Sequence, residues 1–229
     1  MYYPYYFDPT YFLVIIGVII CALASAKVNS TYARYDQVRN HAGITGAMAA
    51  EQILRMEGIY DVQVMRVSGK LTDHYDPRKR VVSLSADVFN SSSVAAVGIA
   101  AHEVGHVCQH YSGYAPIKIR NAVLPIANIG SSLSVPLIIA GFIFSFRPLV
   151  LAGVIAFAAV VLFQLVTLPV EFNASSRAMK SLVSCGILSQ DETSGTRKVL
   201  TAAAMTYVAS LAVSLAQLLR LILIARDRD

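Results

Sequence analysis

Charge is scarce in this chain. Asp, Glu, Lys and Arg make up 14% of its 229 residues, where a soluble globular protein carries about 25%. With hydrophobic residues at 55%, much of the sequence is expected to lie in lipid. The basic residues leave a net charge of +5 but form no dense run, which excludes a nucleic-acid partner and makes the lipid bilayer the expected one. Cysteine is scarce too. Cys21, Cys108 and Cys185 are odd in number and irregular in spacing, with no CxxC pair. Neither a disulfide framework nor a cysteine zinc cage is supported, and Cys21 and Cys108 read as small buried thiols.

Four apolar runs fill the space that charge leaves: Tyr11–Ala26, Ala122–Phe146, Pro148–Leu168 and about Thr201–Ala225. A bilayer core needs about 20 helical residues, so the second and third are long enough outright. The first is shorter, but "MYYPYYFDPTY" precedes it, and clustered tyrosines suit an interfacial belt. Its end, "ALASA", offers a small-residue cleavage site. No basic residue stands before Lys27, however, and a signal peptide begins with a positive segment, so a retained anchor is expected. Gln217 and Arg220 interrupt the fourth run, which reads as transmembrane or membrane-associated.

Basic residues set the expected orientation. Eleven lie between Lys27 and Arg120, and four (Arg177, Lys180, Arg197 and Lys198) lie between the third and fourth runs. The positive-inside rule places both segments in the cytoplasm. The expected organisation is an anchor over 1–26, a catalytic segment over 27–121 and a transmembrane hairpin over 122–168. A helix and cytoplasmic loop over 169–200 and a C-terminal membrane helix over 201–229 complete it.

Within the long polar segment, "TGAMAAEQILRMEG" reads as a helix with Thr45 as N-cap and Gly58 just past its end. "VQVMRV" and "VVSLS" read as two strands separated by the polar loop "SGKLTDHYDPRK". "SSSVAAVGIAAHEVGHVCQH" then reads as a helix capped by one of Ser91, Ser92 and Ser93. The order helix, strand, strand, helix is an α+β arrangement.

That last helix carries the chemistry. His102 and His106 are four residues apart, so they share one face and can offer ring nitrogens to one zinc ion. Glu103 projects beside them, where a general base for a metal-activated water would stand. Gly105 sits in mid-helix at a cost of about 1 kcal/mol relative to Ala, which is understandable if another backbone packs closely there. His110 does not complete the site, because a continuous helix carries it about 12 Å beyond His102.

A carboxylate is therefore the expected third ligand, and Glu171 in "LPVEFNASSRAM" is the most informative candidate. Pro169 suits a helix start. Ala174, Ser175 and Ala178 follow Glu171 at i+3, i+4 and i+7, a face small enough to lie against the zinc helix. Both segments also fall on the same predicted side of the membrane. An interfacial glutamate with no ligand role is the alternative.

Together "LTDHYDPRKRVVSLS", "AAHEVGHVCQH" and "LPVEFNASSRA" resemble the YugP-type membrane zinc metallopeptidases of bacteria over nearly the whole chain. A more distant similarity runs to gluzincin membrane proteases of the HtpX kind, where the third ligand is the glutamate of an ExxAD motif. That resemblance implies Glu171 as the ligand. It also leaves a gap, because Ser175 stands where the broader group has the aspartate that orients a ligand histidine. Asp73, Asp76 and Ser175 are the candidates to take its place.

In "TDHYDP", His74 or Tyr75 could hydrogen-bond a tetrahedral oxyanion. An ordinary turn at Asp76-Pro77, with Asp73 capping it, is the preferred reading. Arg177 is expected to anchor the inside face or meet phosphate rather than bind a substrate carboxylate. "VVSLS" is expected to pair with an extended substrate by strand addition.

The fold class expected is a mainly α membrane protein, with about four transmembrane helices and a small α+β zincin-like cytoplasmic domain. The expected function is a Zn2+-dependent endopeptidase of the bacterial cell membrane, active site facing the cytoplasm. It would act on a peptide or membrane-protein substrate with His102, His106 and Glu171 as ligands and Glu103 as base. The alternatives are a scaffold or chaperone-like factor with structural zinc, and a small-molecule hydrolase.

Overall fold

The computed structural model describes residues 11–226. The tyrosine-rich stretch before Tyr11 and the last three residues lie outside the described residues. Seven helices and three short strands follow in the order α1 (Tyr11–Asp36), α2 (Gly46–Met56), β1 (Gln63–Val67), β2 (His74–Asp76), β3 (Val81–Ser85), α3 (Ala86–Phe89), α4 (Val94–Tyr111), α5 (Ala115–Ile143), α6 (Arg147–Ser184) and α7 (Thr193–Arg226). The chain forms two compact units. One contains the described residues up to Ser25, Arg120–Val166 and those from Thr206 onward; the other contains Ala26–Ile119 and Thr167–Met205.

Among the described residues, four helices are long and apolar enough to cross a membrane: Phe12–Tyr35, Ala115–Ile143, Arg147–Ser184 and Thr193–Arg226. The first exceeds its apolar run because the helix continues through "KVNSTYARYD". The fourth begins at Thr193, eight residues before its apolar run. The first unit turns large apolar side chains outward, among them Ile15, Val18, Ile129, Leu133 and Ile155. Exposure of this kind suits a hydrocarbon surrounding and would be a liability in water. Its own small core joins Val150, Val154 and Ala225 with Phe142, Leu218 and Leu221.

The second unit carries a conventional core. Helix α2 starts where Thr45 Oγ1 accepts from the Met48 amide and stops before Gly58, whose φ of +71° favours a residue without Cβ. Its Ala49, Ala50, Ile53 and Leu54 are buried with Val82 and Leu84 of β3 and Val97, Val104 and Val107 of α4. Ser93 caps α4, its Oγ accepting from the Ala96 amide at 3.0 Å. Alternation in β3 would normally leave every second residue exposed, yet Val82, Ser83, Leu84 and Ser85 are all buried.

The sheet explains that burial. Its order is β1-β3-β2, with β1 parallel and β2 antiparallel to β3. The expected substrate strand addition onto "VVSLS" is therefore corrected, because both hydrogen-bonding edges of β3 are occupied. Strand β2 arises inside the stretch read as a loop; it is three residues long, and its extended form comes from pairing His74, Tyr75 and Asp76 with Ser83, Val82 and Val81. The turn after it follows the sequence: Asp76 Oδ1 accepts from the Arg78 and Lys79 amides at 2.9 and 3.2 Å. Helix α6 does not start at Pro169 but runs through it. The proline removes one amide donor from the ladder, a loss that long apolar helices tolerate.

Candidate metal centre

Two helices of the second unit build the site. On α4, the four-residue spacing sets the His102 and His106 rings edge to face with centroids 4.8 Å apart. The facing helix, α6, delivers Glu171. Its Oε2 lies 3.2 Å from His102 Nε2 and 3.8 Å from His106 Nε2, and one ligand atom from each residue falls within 4.8 Å of the others. Two donors on a tetrahedral zinc with bonds of about 2.0–2.2 Å stand about 3.3–3.6 Å apart. The spacing suits a small cation.

Close approach of the helices makes this spacing attainable. A Cβ on Gly105 would stand 2.6 Å from the Ala174 carbonyl oxygen, so the glycine is what allows α6 to lie this near. Ala174 and Ala178 are fully buried on the facing side. The small face that follows Glu171 in sequence is the face that packs.

Each histidine is held by its other nitrogen. Ser175 Oγ is 3.1 Å from His102 Nδ1. Gln109 Oε1 is 3.0 Å from His106 Nδ1, and here the donor can be deduced. Gln109 Nε2 donates to the Val170 carbonyl at 2.7 Å and to Asn173 Oδ1 at 3.1 Å, which fixes the amide orientation and leaves Oε1 as an acceptor. His106 therefore carries its hydrogen on Nδ1, and its Nε2 lone pair faces the centre. This is the tautomer a metal-ligating histidine needs.

Electrostatics point the same way. Glu171 is 4% exposed and sits between two imidazoles, a placement that calls for a compensating positive charge. Burial draws the His102 pKa down, but the hydrogen bond that its ring gives to Glu171 and the charges of Glu103 and Glu171 outweigh it and leave it raised. Burial pushes the Glu103 carboxyl up to about 7. His102 lowers it, Glu171 and Asp73 raise it, and His74 lowers it. The donor set of two imidazoles and a carboxylate, its orienting hydrogen bonds and the buried negative charge all fit zinc.

The other candidates separate clearly. His110 stays outside the cluster, its ring against Tyr75 at 6.1 Å and Tyr111 at 5.8 Å. Asp73 accepts from the Ser85 amide and hydroxyl and so ties the loop to the end of β3. Asp76 serves its turn. Of the three residues considered for orienting a ligand histidine, Ser175 is the one in contact with it. His74 is exposed, with Nδ1 2.7 Å from the Thr72 carbonyl. Tyr75 is half-buried; no described group hydrogen-bonds its hydroxyl, and burial is the main cause of its rise to about 12. Arg177 joins two helices. Its Nε donates to Asn173 Oδ1 and its Nη2 to Ser112 Oγ, joining α6 to the end of α4.

Gln109 and Asn173 were not singled out in the sequence. Gln109 lies three residues after His106, on the same helical face, and that spacing is the signal that would have found it. Asn173 has no comparable mark.

The comparisons with known proteins give the family. The family described as "Putative neutral zinc metallopeptidase" matches residues 10–226. A relative from Bacillus subtilis (strain 168), described as "Putative membrane protease YugP", is 45% identical over 213 residues, covering 93% of this chain and 95% of the relative. No solved structure matches the chain. A match over nearly the full length, together with a relative this similar, shows that the chain belongs to the family described as "Putative neutral zinc metallopeptidase".

Proposed function

We propose that this protein is an integral membrane zinc endopeptidase of the bacterial cell membrane, with its active site facing the cytoplasm. The observation that carries the reading is the three-donor cluster of His102, His106 and Glu171 with the buried Glu103 beside it. Among the described residues three protein donors meet, rather than the four usual in structural zinc sites, which leaves room for water and substrate. The two basic polar segments support the cytoplasmic orientation, and the relative's description as a membrane protease supports peptide hydrolysis.

Bound there, zinc would supply a Lewis acid for the scissile carbonyl and lower the pKa of an attacking water. His102, His106 and Glu171 would hold it, oriented by Ser175 and Gln109. Glu103 takes the water's proton on its carboxylate as attack proceeds and returns it to the leaving amine. Its burial beside the two histidines keeps this carboxyl next to the metal position and away from bulk water. Of the two candidate oxyanion donors, His74 is exposed on β2, with Nδ1 2.7 Å from the Thr72 carbonyl. With Nδ1–H given to Thr72, it would donate from Nε2 only as imidazolium. Tyr75 packs on His110 instead.

The test is Glu103→Gln in the purified, zinc-loaded protein. Metal content should stay at the wild-type level while peptide cleavage falls about 10²–10⁴-fold, the range for losing one acid–base group. Undiminished cleavage would remove Glu103 from the chemistry. A wild-type protein that hydrolyses esters but no peptide would point to a small-molecule hydrolase.

A further inference from the structure

We propose that the groove between the second half of α6 and the start of α7 binds an anionic phospholipid. It encloses about 370 Å³ and is lined by Phe172, Met179 and Lys180 of α6 and Arg197, Leu200 and Ala204 of α7. The lining is polarised. Lys180 and Arg197 stand nearest in sequence to the turn that joins the helices, whereas Phe172 and Ala204 stand farthest from it. The groove thus has a cationic end and an apolar end.

Inside the groove the two cations face no carboxylate among the described residues. Both are exposed. Lys180 also borders a second, polar cavity of about 350 Å³, where Glu57 stands with Arg177. The apolar lining is open to the surroundings as well, with Phe172 47% exposed.

A phosphodiester at the Lys180–Arg197 end and an acyl chain along Phe172, Met179 and Leu200 would satisfy both halves. A small soluble anion would leave the apolar half uncovered, and an apolar peptide side chain would leave the cations unmatched. From the apolar end of the groove, at Phe172 and Ala204, α6 and α7 continue into stretches apolar enough to cross a membrane, which suits an acyl chain there. Ser175, which holds His102, lines the same groove, but lipid binding would engage no metal ligand.

The sequence contains no tryptophan, so Phe172→Trp introduces a single fluorophore at the apolar end. The variant is reconstituted in phosphatidylcholine vesicles, and brominated phosphatidylglycerol is compared with brominated phosphatidylcholine at equal mole fraction. Phosphatidylglycerol is expected to quench with about tenfold preference. Lys180→Ala and Arg197→Ala should each lower that preference about threefold, and the double variant should abolish it, while inorganic phosphate leaves quenching unchanged. Equal quenching by both lipids, a preference that survives K180A/R197A, or a tryptophan that neither lipid reaches would overturn the assignment. Displacement by inorganic phosphate would also overturn it, in favour of a free-anion site.

Discussion

Replacing Gly105 with Ala tests whether helix approach, rather than the ligands alone, makes the metal centre. The added Cβ would stand 2.6 Å from the Ala174 carbonyl oxygen, where ordinary contact begins at 3.4 Å. The neighbour is backbone, so α4 and α6 must part locally by most of the 0.8 Å difference. Gly105 adjoins His106, and Ala174 lies one helical turn from Glu171. A displacement of this size exceeds the roughly 0.2 Å tolerance of a metal–ligand bond. Alanine favours the helix by about 1 kcal/mol over glycine, which offsets part of an overpacking cost of about 1–3 kcal/mol. Folding should therefore change little while zinc affinity falls about 10–100-fold, the effect of misplacing a ligand's support. Chelator competition followed by metal analysis reads the affinity, and a thermal melt of the metal-free protein reads the fold. Wild-type affinity in Gly105→Ala would refute the argument, since it would mean that Glu171 reaches the ion without the close crossing.

Other consequences concern protons and orientation. In the metal-free protein the Glu103 pKa rises from the ordinary 4.5 to about 7, and each unit is worth about 1.4 kcal/mol. The raised value means that its contribution is fully present below pH 4.5 and lost as pH rises through 7. Metal-free Glu103→Gln should escape that loss and exceed the wild type by about 3 kcal/mol above neutrality; parallel pH profiles of unfolding in the two proteins would contradict this. Ser175→Ala and Gln109→Ala should each weaken zinc binding about tenfold or more by freeing one imidazole, whereas Ser175→Asp should restore the hold on His102. Equal chelator-competition curves for all three and the wild type would show that these hydrogen bonds do not orient the ligands.

Much of the architecture is a matter of local pattern. Four apolar runs yield four long helices because the length of an apolar stretch is a property of neighbouring residues. Thr45 and Ser93 cap their helices through hydrogen bonds that reach only three residues. His102, Glu103 and His106 share a helix, so the 3.6-residue turn alone sets their mutual geometry. Gly105 and the small residues after Glu171 even announced a close crossing.

The remainder depends on partners distant in the chain. Strand β2 has no run of β-formers and exists through its pairing with β3, which in turn hides the strand that looked available to substrate. Pro169 looks like a helix start by its residue type, yet the surrounding apolar helix carries the backbone through it. Among three residues that looked able to orient a histidine, only the crossing of α4 and α6 selects Ser175, and the same crossing recruits Gln109 and Asn173. Periodicity specifies which residues share a face. Which faces meet is set by packing between segments some 70 residues apart, and in this protein that packing brings Glu171 to the two histidines.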